Sequence, residues 1–226
     1  MPSRRLLLFT KPAREGRVKT RLIGDLTPAQ AAALHTAFLD DLLDRLRGGD
    51  FELTLAWALD PDDPVPEHPL PGVSGVRQEG DDLGERLYRA LSGAAREAES
   101  VMALGSDLPT VSLSTIHRAF EAVEQRVPVA IGPAEDGGYY LIALRSDAVQ
   151  RRIFEEIDWS TERVLEQTLE RCREVGVEVE TLPLAMDVDT PDDLRRLVSR
   201  MSCGDLGCPR TRDLLRSWHR LEGATP

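Results

Sequence analysis

The chain has 226 residues, 41% of them hydrophobic and 30% charged, which is enough apolar material for one buried core and too much for a disordered chain. Its formal charge of −11, from 28 basic and 39 acidic side chains, disfavours binding to a nucleic-acid backbone. No apolar run approaches the roughly 18 residues that cross a bilayer, and the first apolar stretch turns charged at Lys11, so a cytoplasmic protein without a membrane partner is expected.

In chain order, residues 4–10 (RRLLLFT) read as a short buried strand, and residues 11–24 as a loop punctuated by Pro12, Gly16 and Gly24. Thr27-Pro28 then caps a long amphipathic helix, in which Ala31, Leu34, Phe38, Leu42 and Leu46 recur at helical spacing until Gly48-Gly49 stops it. Residues 51–59 alternate as a strand, and residues 60–75, rich in proline and acid, read as a surface loop. A second helix lies within residues 80–100. A brief apolar strand at 101–105 runs into Ser106-Asp107-Leu108-Pro109, and a third helix covers 112–126. Residues 127–131 form a strand, 133–140 a turn around Gly137-Gly138, and 139–144 another extended run. Ser160 or Thr161 is expected to cap a fourth helix to about Val175, followed by a strand at 177–184 and a last helix over 191–201 opened by Thr190-Pro191. Strands alternating with helices imply an α/β fold with three layers, a mainly parallel mixed sheet and helices on both faces, with ligands bound beyond the carboxyl ends of the strands. A domain over residues 1–201 and a C-terminal appendage over 202–226 are expected.

Charge gives the first functional signal. Residues 4–21 hold seven basic side chains against Glu15 alone, and the two lysines of the whole chain, Lys11 and Lys19, both lie there. A cationic loop between a strand and a helix suits the oxygens of a di- or triphosphate, which assigns Lys11, Arg14, Lys19 and Arg21 to phosphate binding. The spacings G-x-x-x-x-G-K-[ST] and G-x-G-x-x-G are absent, which disfavours a P-loop NTPase and a dinucleotide-binding dehydrogenase. Asp107 ends one strand, and Asp187-Val188-Asp189 precedes the last helix. Two such turns can hold one Mg²⁺, or Mn²⁺ in its place, when substrate phosphates complete the octahedron; Asp187 lies one step deeper than Asp189, and Asp189-Thr190-Pro191-Asp192 also reads as a helix cap. Glu135, Asp136, Gly137, Gly138 and Tyr139 form a turn able to admit a small-molecule acceptor. The same segment also reads as a hairpin turn. The four histidines, among them His35, have no serine or cysteine motif beside them and read as surface residues. Cys172, Cys203 and Cys208 are too few for a disulfide framework or a four-ligand zinc site.

Taken together, FTKPAREGRVKTRL, QEGDDLGERL, ALGSDLPT, GPAEDGGYYLIAL, DWST and DVDTPDDL, in that order over roughly residues 5–200, resemble the bacterial glycosyltransferase-like proteins of domain of unknown function 2064. These are described as radical-SAM/selenodomain-associated or arsenosugar-biosynthesis transferases, and CPRTR at residues 208–212 also looks like this family's tail. The resemblance implies the glycosyltransferase A-type fold shared with nucleotidyltransferases. It implies phosphate binding by Lys11, Arg14, Lys19 and Arg21, and metal binding by Asp107 and Asp189; Asp107 and Lys19 are the expected catalytic pair. The L-x-G-G first loop of typical nucleotidyltransferases is absent, and so is a D-x-D at Asp107, because residue 109 is Pro. The expected function is a Mg²⁺-dependent transferase with a nucleotide donor, moving a glycosyl group from a nucleotide sugar to a small acceptor. The alternatives are nucleotidyl transfer from a nucleoside triphosphate to a phosphorylated acceptor, and a non-catalytic binding subunit.

Overall fold

The computed structural model describes residues 3–66 and 72–221; part of the loop expected at 60–75 and the last five residues of the expected appendage lie outside the described residues. Seven strands form one sheet: β1 (Arg4–Thr10), β2 (Glu52–Trp57), β3 (Ser74–Arg77), β4 (Ser100–Gly105), β5 (Val129–Pro133), β6 (Tyr139–Arg145) and β7 (Val179–Thr181). Their spatial order is β3-β2-β1-β4-β6-β5-β7, parallel throughout except for β6, which runs antiparallel to both β4 and β5.

Strand alternation divides the core between the two faces. Leu6 and Leu8 of β1, with Met102 and Leu104 of β4, point toward α1 (Pro28–Leu46) and α3 (Leu113–Gln125). Leu7 of β1, with Val101 and Ala103 of β4, points the other way, toward α2 (Leu83–Ala94) and α4 (Val164–Glu174). A period of two thus builds both halves of a three-layer fold from one apolar strand. A third cluster joins Leu34 and Phe38 of α1 to Met186, Val188 and α5 (Pro191–Cys203). Both α1 and α5 start with a capping box and an N-terminal proline: Thr27 with Gln30, and Thr190 with Asp193.

Four features differ from the sequence reading. β3 falls at the edge of the expected 60–75 loop; its residues are mostly exposed, so no apolar alternation marks it. β7 is only three residues long, and beyond it the chain continues alongside β5 through single bonds, Leu182 N–H to Ile131 O and Ala185 N–H to Pro133 O. α4 begins at Val164 after an uncapped Arg163, while Ser160 sits at φ 66°, too far back to cap. The tail contains α6 (Pro209–Ser217), which packs on α1. Buried Asp41 of α1 accepts from the Arg210 and Thr211 N–H groups, each at 2.9 Å, and from Thr211 Oγ1 at 2.6 Å, so a carboxylate from one helix caps the first turn of another.

Candidate functional site

A cavity of about 600 Å³ opens at the carboxyl ends of β1 and β4. Parallel neighbours β1 and β4 place Thr10 and Ser106 side by side, so Lys11 and Asp107, the next residues, both reach it. The segment before α5 brings Asp187 and Asp189, and the turn before β6 brings Asp136, Gly138 and Tyr139. This turn depends on Gly137: φ is +87°, and a Cβ there would lie 2.2 Å from Glu162 O. The close approach is fastened by the Leu165 N–H donating to Gly137 O at 2.9 Å. Gly84 plays the same part in α2, where a Cβ would meet Phe154 O at 2.3 Å, and seats that helix against Trp159 at the cavity wall.

Lys19 ties the floor together. Its side chain is 1% exposed, and its ammonium donates to Val188 O at 2.7 Å, touches Asp189 Oδ1 at 3.1 Å and pairs with Asp107 Oδ1. It also lies 5.2 Å from the centroid of the Phe38 ring. Burial would lower the pKa of this lysine, but Asp107 and Asp189 together hold it above its ordinary value. Likewise burial works to raise the Asp107 pKa and the Lys19 charge overcomes it, leaving the carboxyl below its usual range. The backbone adopts φ 48°, ψ 39° at Lys19, a left-handed conformation that a non-glycine residue holds only when its surroundings fix it. Asp187 is in the opposite condition. Burial, with repulsion from Asp136 and Asp189, pushes its carboxyl up to about 6, and among the described residues neither Asp187 nor Asp136 has a salt bridge.

The structure therefore brings Lys11, Arg21, Asp107, Asp136, Gly138, Tyr139 and Asp189 to one cavity. Lys19 lies behind Asp107 and Asp189 and not on the cavity wall. Arg14 is drawn away by ion pairs to Asp60 at 2.9 Å and Asp63 at 2.8 Å, and Glu135 by a bidentate pair with Arg196 at 2.6 and 3.0 Å. The acidic loop after β2 thus pairs with two of the loop's cations, since Asp60 also meets Arg17 at 3.1 Å, a contact that a count of charges along the sequence does not reveal. His35, expected at the surface, is buried on α1: its Nε2 reaches Lys11 O at 3.0 Å and Thr10 Oγ1 at 3.3 Å, fixing the start of the cationic loop. Gln78, which opens the 78–87 segment that reads in the sequence as a nucleotide- or acceptor-facing loop or a helix entry, lines the cavity, as do Thr161, expected only as a helix cap, and Trp159, visible only within DWST.

The donor set suits a hard divalent cation. Asp107 and Asp189 each place Oδ1 against the Lys19 ammonium, which among the described residues is the one cation that touches either. Among the described residues no group of three or more His, Cys, Asp or Glu side chains could hold a metal ion; Mg²⁺ is usually held by only one or two carboxylates together with substrate oxygens and water.

Residues 41–161 match the family described as "Uncharacterized protein conserved in bacteria (DUF2064)". The chain belongs to this family. The DUF2064 chain is also 32% identical to a protein from Desulfovibrio desulfuricans G20 assigned to the nucleotide-diphospho-sugar transferases; the match covers 98% of this chain and 97% of that one, with a TM-score of 0.89. It is 28% identical over 210 residues to the 3-phospho-D-glycerate guanylyltransferase of Phenylobacterium zucineum (strain HLK1), covering 88% and 92% of the two chains. A cytidylyltransferase from Leptospira borgpetersenii serovar Hardjo-bovis (strain JB197), 13% identical with a TM-score of 0.57, covers 100% of this chain and 99% of its own and shares the fold. Among the described residues no helix is long and apolar enough to cross a membrane.

Proposed function

We propose that this DUF2064 protein is a Mg²⁺-dependent nucleotidyltransferase that joins a nucleoside monophosphate to a small phosphorylated acceptor and releases pyrophosphate. It is an enzyme of the transferase class with a nucleotide substrate. The observation that carries the finer reading is that Asp107 and Asp189, held side by side on the Lys19 ammonium, line the same cavity as Lys11 and Arg21. The guanylyltransferase relative, matched over nearly its whole length, supports the choice of nucleotidyl transfer over other uses of that geometry.

In the proposed reaction an acceptor phosphate oxygen attacks the donor α-phosphorus, the bond from that phosphorus to the bridging oxygen breaks, and pyrophosphate carries the electron pair away. No protein nucleophile is required, because positioning and charge neutralisation supply the acceleration. Asp107 and Asp189 would hold Mg²⁺, or Mn²⁺ in its place, which when bound offsets the negative charge of the donor phosphates. Lys11 and Arg21 bind phosphate oxygens. Lys19 positions the two carboxylates from behind. Asp136 and the Gly138-Tyr139 segment form the side of the cavity offered to the acceptor. Nucleoside triphosphates and phosphorylated acceptors are cytoplasmic metabolites, which is where we place the reaction.

Glycosyl transfer from a nucleotide sugar is the second reading, favoured by the likeness to the Desulfovibrio protein. The two differ in the leaving group. A panel of nucleoside triphosphates and nucleotide sugars, each with Mg²⁺ and a set of small phosphorylated acids including 3-phospho-D-glycerate, is assayed for pyrophosphate and for nucleoside diphosphate. Acceptor-dependent pyrophosphate supports the proposal; nucleoside diphosphate from a nucleotide sugar, without pyrophosphate from any triphosphate, overturns it.

A further inference from the structure

The CPRTR motif at residues 208–212 and the half-buried Arg45 do not line the cavity, yet both reach the turn that carries one of its carboxylates. Cys208 occupies the N-cap position of α6 without capping it, because Asp41 already accepts from the first-turn N–H groups. The thiol, 1% exposed, turns instead to the segment after β4 and donates to Pro109 O at 3.0 Å. Arg45, in the last turn of α1, reaches the same segment. Its Nη1 donates to Pro109 O and to Val111 O, the latter at 3.0 Å. Its Nη2 donates to Gly207 O, to Leu206 O at 3.2 Å and to Cys208 Sγ at 3.4 Å. One planar guanidinium thus joins the segment after β4 to the tail ahead of α6, and none of these five partners is a carboxylate.

Asp107 sits at the head of that segment. The Ser106 N–H donates to Phe9 O at 3.2 Å, and the Val188 N–H donates to Asp107 O at 3.1 Å, which ties the turn to β1 and to the Asp189 segment. Pro109 has no N–H with which to continue a ladder, and Arg45 and Cys208 take up the carbonyls of Pro109 and Val111. The turn is therefore fixed at Asp107 itself by Val188 and two residues further on by the tail. A small hard cation demands such fixing, since Mg²⁺ accepts oxygens only near about 2.0–2.1 Å in a nearly ideal octahedron. The far end of the tail is anchored separately: Arg220 donates to Asp25 O and Oδ2, each at 2.6 Å, on the loop before α1 and not on the Asp107 turn.

We propose that Arg45, together with Cys208 of the tail, is a positioning residue for Asp107, so that the C-terminal segment sets how tightly the cavity holds a divalent cation. Without the guanidinium, Pro109 O keeps only the weak thiol donor and Val111 O loses the side-chain donor it has. The turn is then held from one side, and the Asp107 carboxylate samples positions that no longer match those of Asp189. The proposal rests on the reading of Asp107 and Asp189 as metal ligands, but cation binding reads it without any turnover.

The test is Mn²⁺ binding to the full chain, followed by the paramagnetic resonance of the free ion, in wild type, Arg45→Met, Arg45→Lys, Cys208→Ala and Arg220→Gln. Arg45→Met should weaken Mn²⁺ binding about 5- to 20-fold, and Cys208→Ala, which removes one weak donor, about 2- to 4-fold. Arg45→Lys keeps the charge but carries its donors at one point, so it should fall between wild type and Arg45→Met. Arg220→Gln loosens the far end of the tail, where the ion pair is partly exposed, and should stay within about 2-fold of wild type. In pyrophosphate release, Arg45→Met should need more Mg²⁺ for half-maximal rate while kcat at saturating Mg²⁺ stays within about 3-fold of wild type, a split that a mere loss of folded protein does not produce. Wild-type Mn²⁺ affinity in Arg45→Met overturns the proposal. Equal losses in Arg45→Met and Arg220→Gln overturn it too, because that pattern belongs to docking of the tail as a whole. If Arg45→Met does not fold, Cys208→Ala set against Arg220→Gln decides in the same way. Weaker Mn²⁺ binding in Arg45→Met and Cys208→Ala, with no pyrophosphate formed by wild type from any triphosphate, keeps the positioning role and refutes the nucleotidyl reading. Unchanged Mn²⁺ binding in both variants of a protein that does make pyrophosphate does the reverse.

Discussion

Replacing Lys19 with methionine keeps the length and burial of the side chain and removes the one cation that Asp107 and Asp189 share. Breaking a buried ion pair from one side costs about 3–5 kcal/mol when the charge left behind is sealed from water. Here Asp107 and Asp189 keep 46% and 36% of their side-chain area exposed to the cavity, so hydration takes over part of the lost interaction. The destabilisation should therefore settle at about 1–3 kcal/mol, including the donor lost by Val188 O. For a domain of this size that is a fall of roughly 2–12 °C in the unfolding midpoint. Urea unfolding gives the free energy directly, and the left-handed backbone at position 19 is equally strained in both proteins, so it does not enter the difference. Added Mg²⁺ should also raise the midpoint of the variant more than that of wild type, since two carboxylates then lack a counter-charge. A loss below about 0.5 kcal/mol with no differential effect of Mg²⁺ would refute the view that the ammonium organises this pair.

Asp107→Asn removes charge at the floor of the cavity with little change in shape; nucleotidyl transfer should fall by more than about 100-fold, with the unfolding midpoint no lower than that of wild type by more than a few degrees, as read by pyrophosphate release and calorimetry. Burial holds the His35 imidazole below its ordinary 6.5, and the nearby Asp107 charge does not reverse this. The unfolded chain thus binds a proton more readily than the folded one, so stability present at neutral pH is lost as the pH falls from about 6.5 toward the lower folded value. In urea midpoints taken across that window, wild type should lose more than His35→Gln; parallel curves would mean that His35 does not contribute. Asp41→Ala leaves the first turn of α6 without its carboxylate cap and should cost about 2–3 kcal/mol, with faster proteolysis after Met201. Unchanged cleavage there would show that α6 docks on apolar contacts alone.

Much of the fold was legible because its signals are local. The apolar runs of β1 and β4, the Thr27-Pro28 and Thr190-Pro191 caps, and the 3.6-residue stripe of α1 each report on a few neighbouring residues. β3 left no such signal, since an exposed edge strand owes its form to its pairing with β2. α6 was hidden for a related reason: the partner of Arg210 and Thr211 is Asp41, about 170 residues away. At the site, the strand ends told which residues would be near one another, so Lys11, Asp107 and Asp189 could be named in advance. Their division of labour could not. That Lys19 faces the carboxylates and not the cavity, that Arg14 answers to Asp60 and Asp63, and that Arg45 joins Pro109 to the tail all depend on contacts between distant parts of the chain.

The claim that joins these observations is that the cavity carries out attack at the α-phosphorus of a nucleoside triphosphate. It is tested most directly by following two labels, one at the α- and one at the γ-phosphorus of GTP, through a single turnover with Mg²⁺ and 3-phospho-D-glycerate or whichever acceptor in the panel is turned over. The account predicts that the α label enters the acceptor product and the γ label leaves as pyrophosphate in equal amounts, and that Asp107→Asn stops both. Transfer of the γ label to the acceptor, or intact GTP beside cleavage of a nucleotide sugar to nucleoside diphosphate, would contradict it.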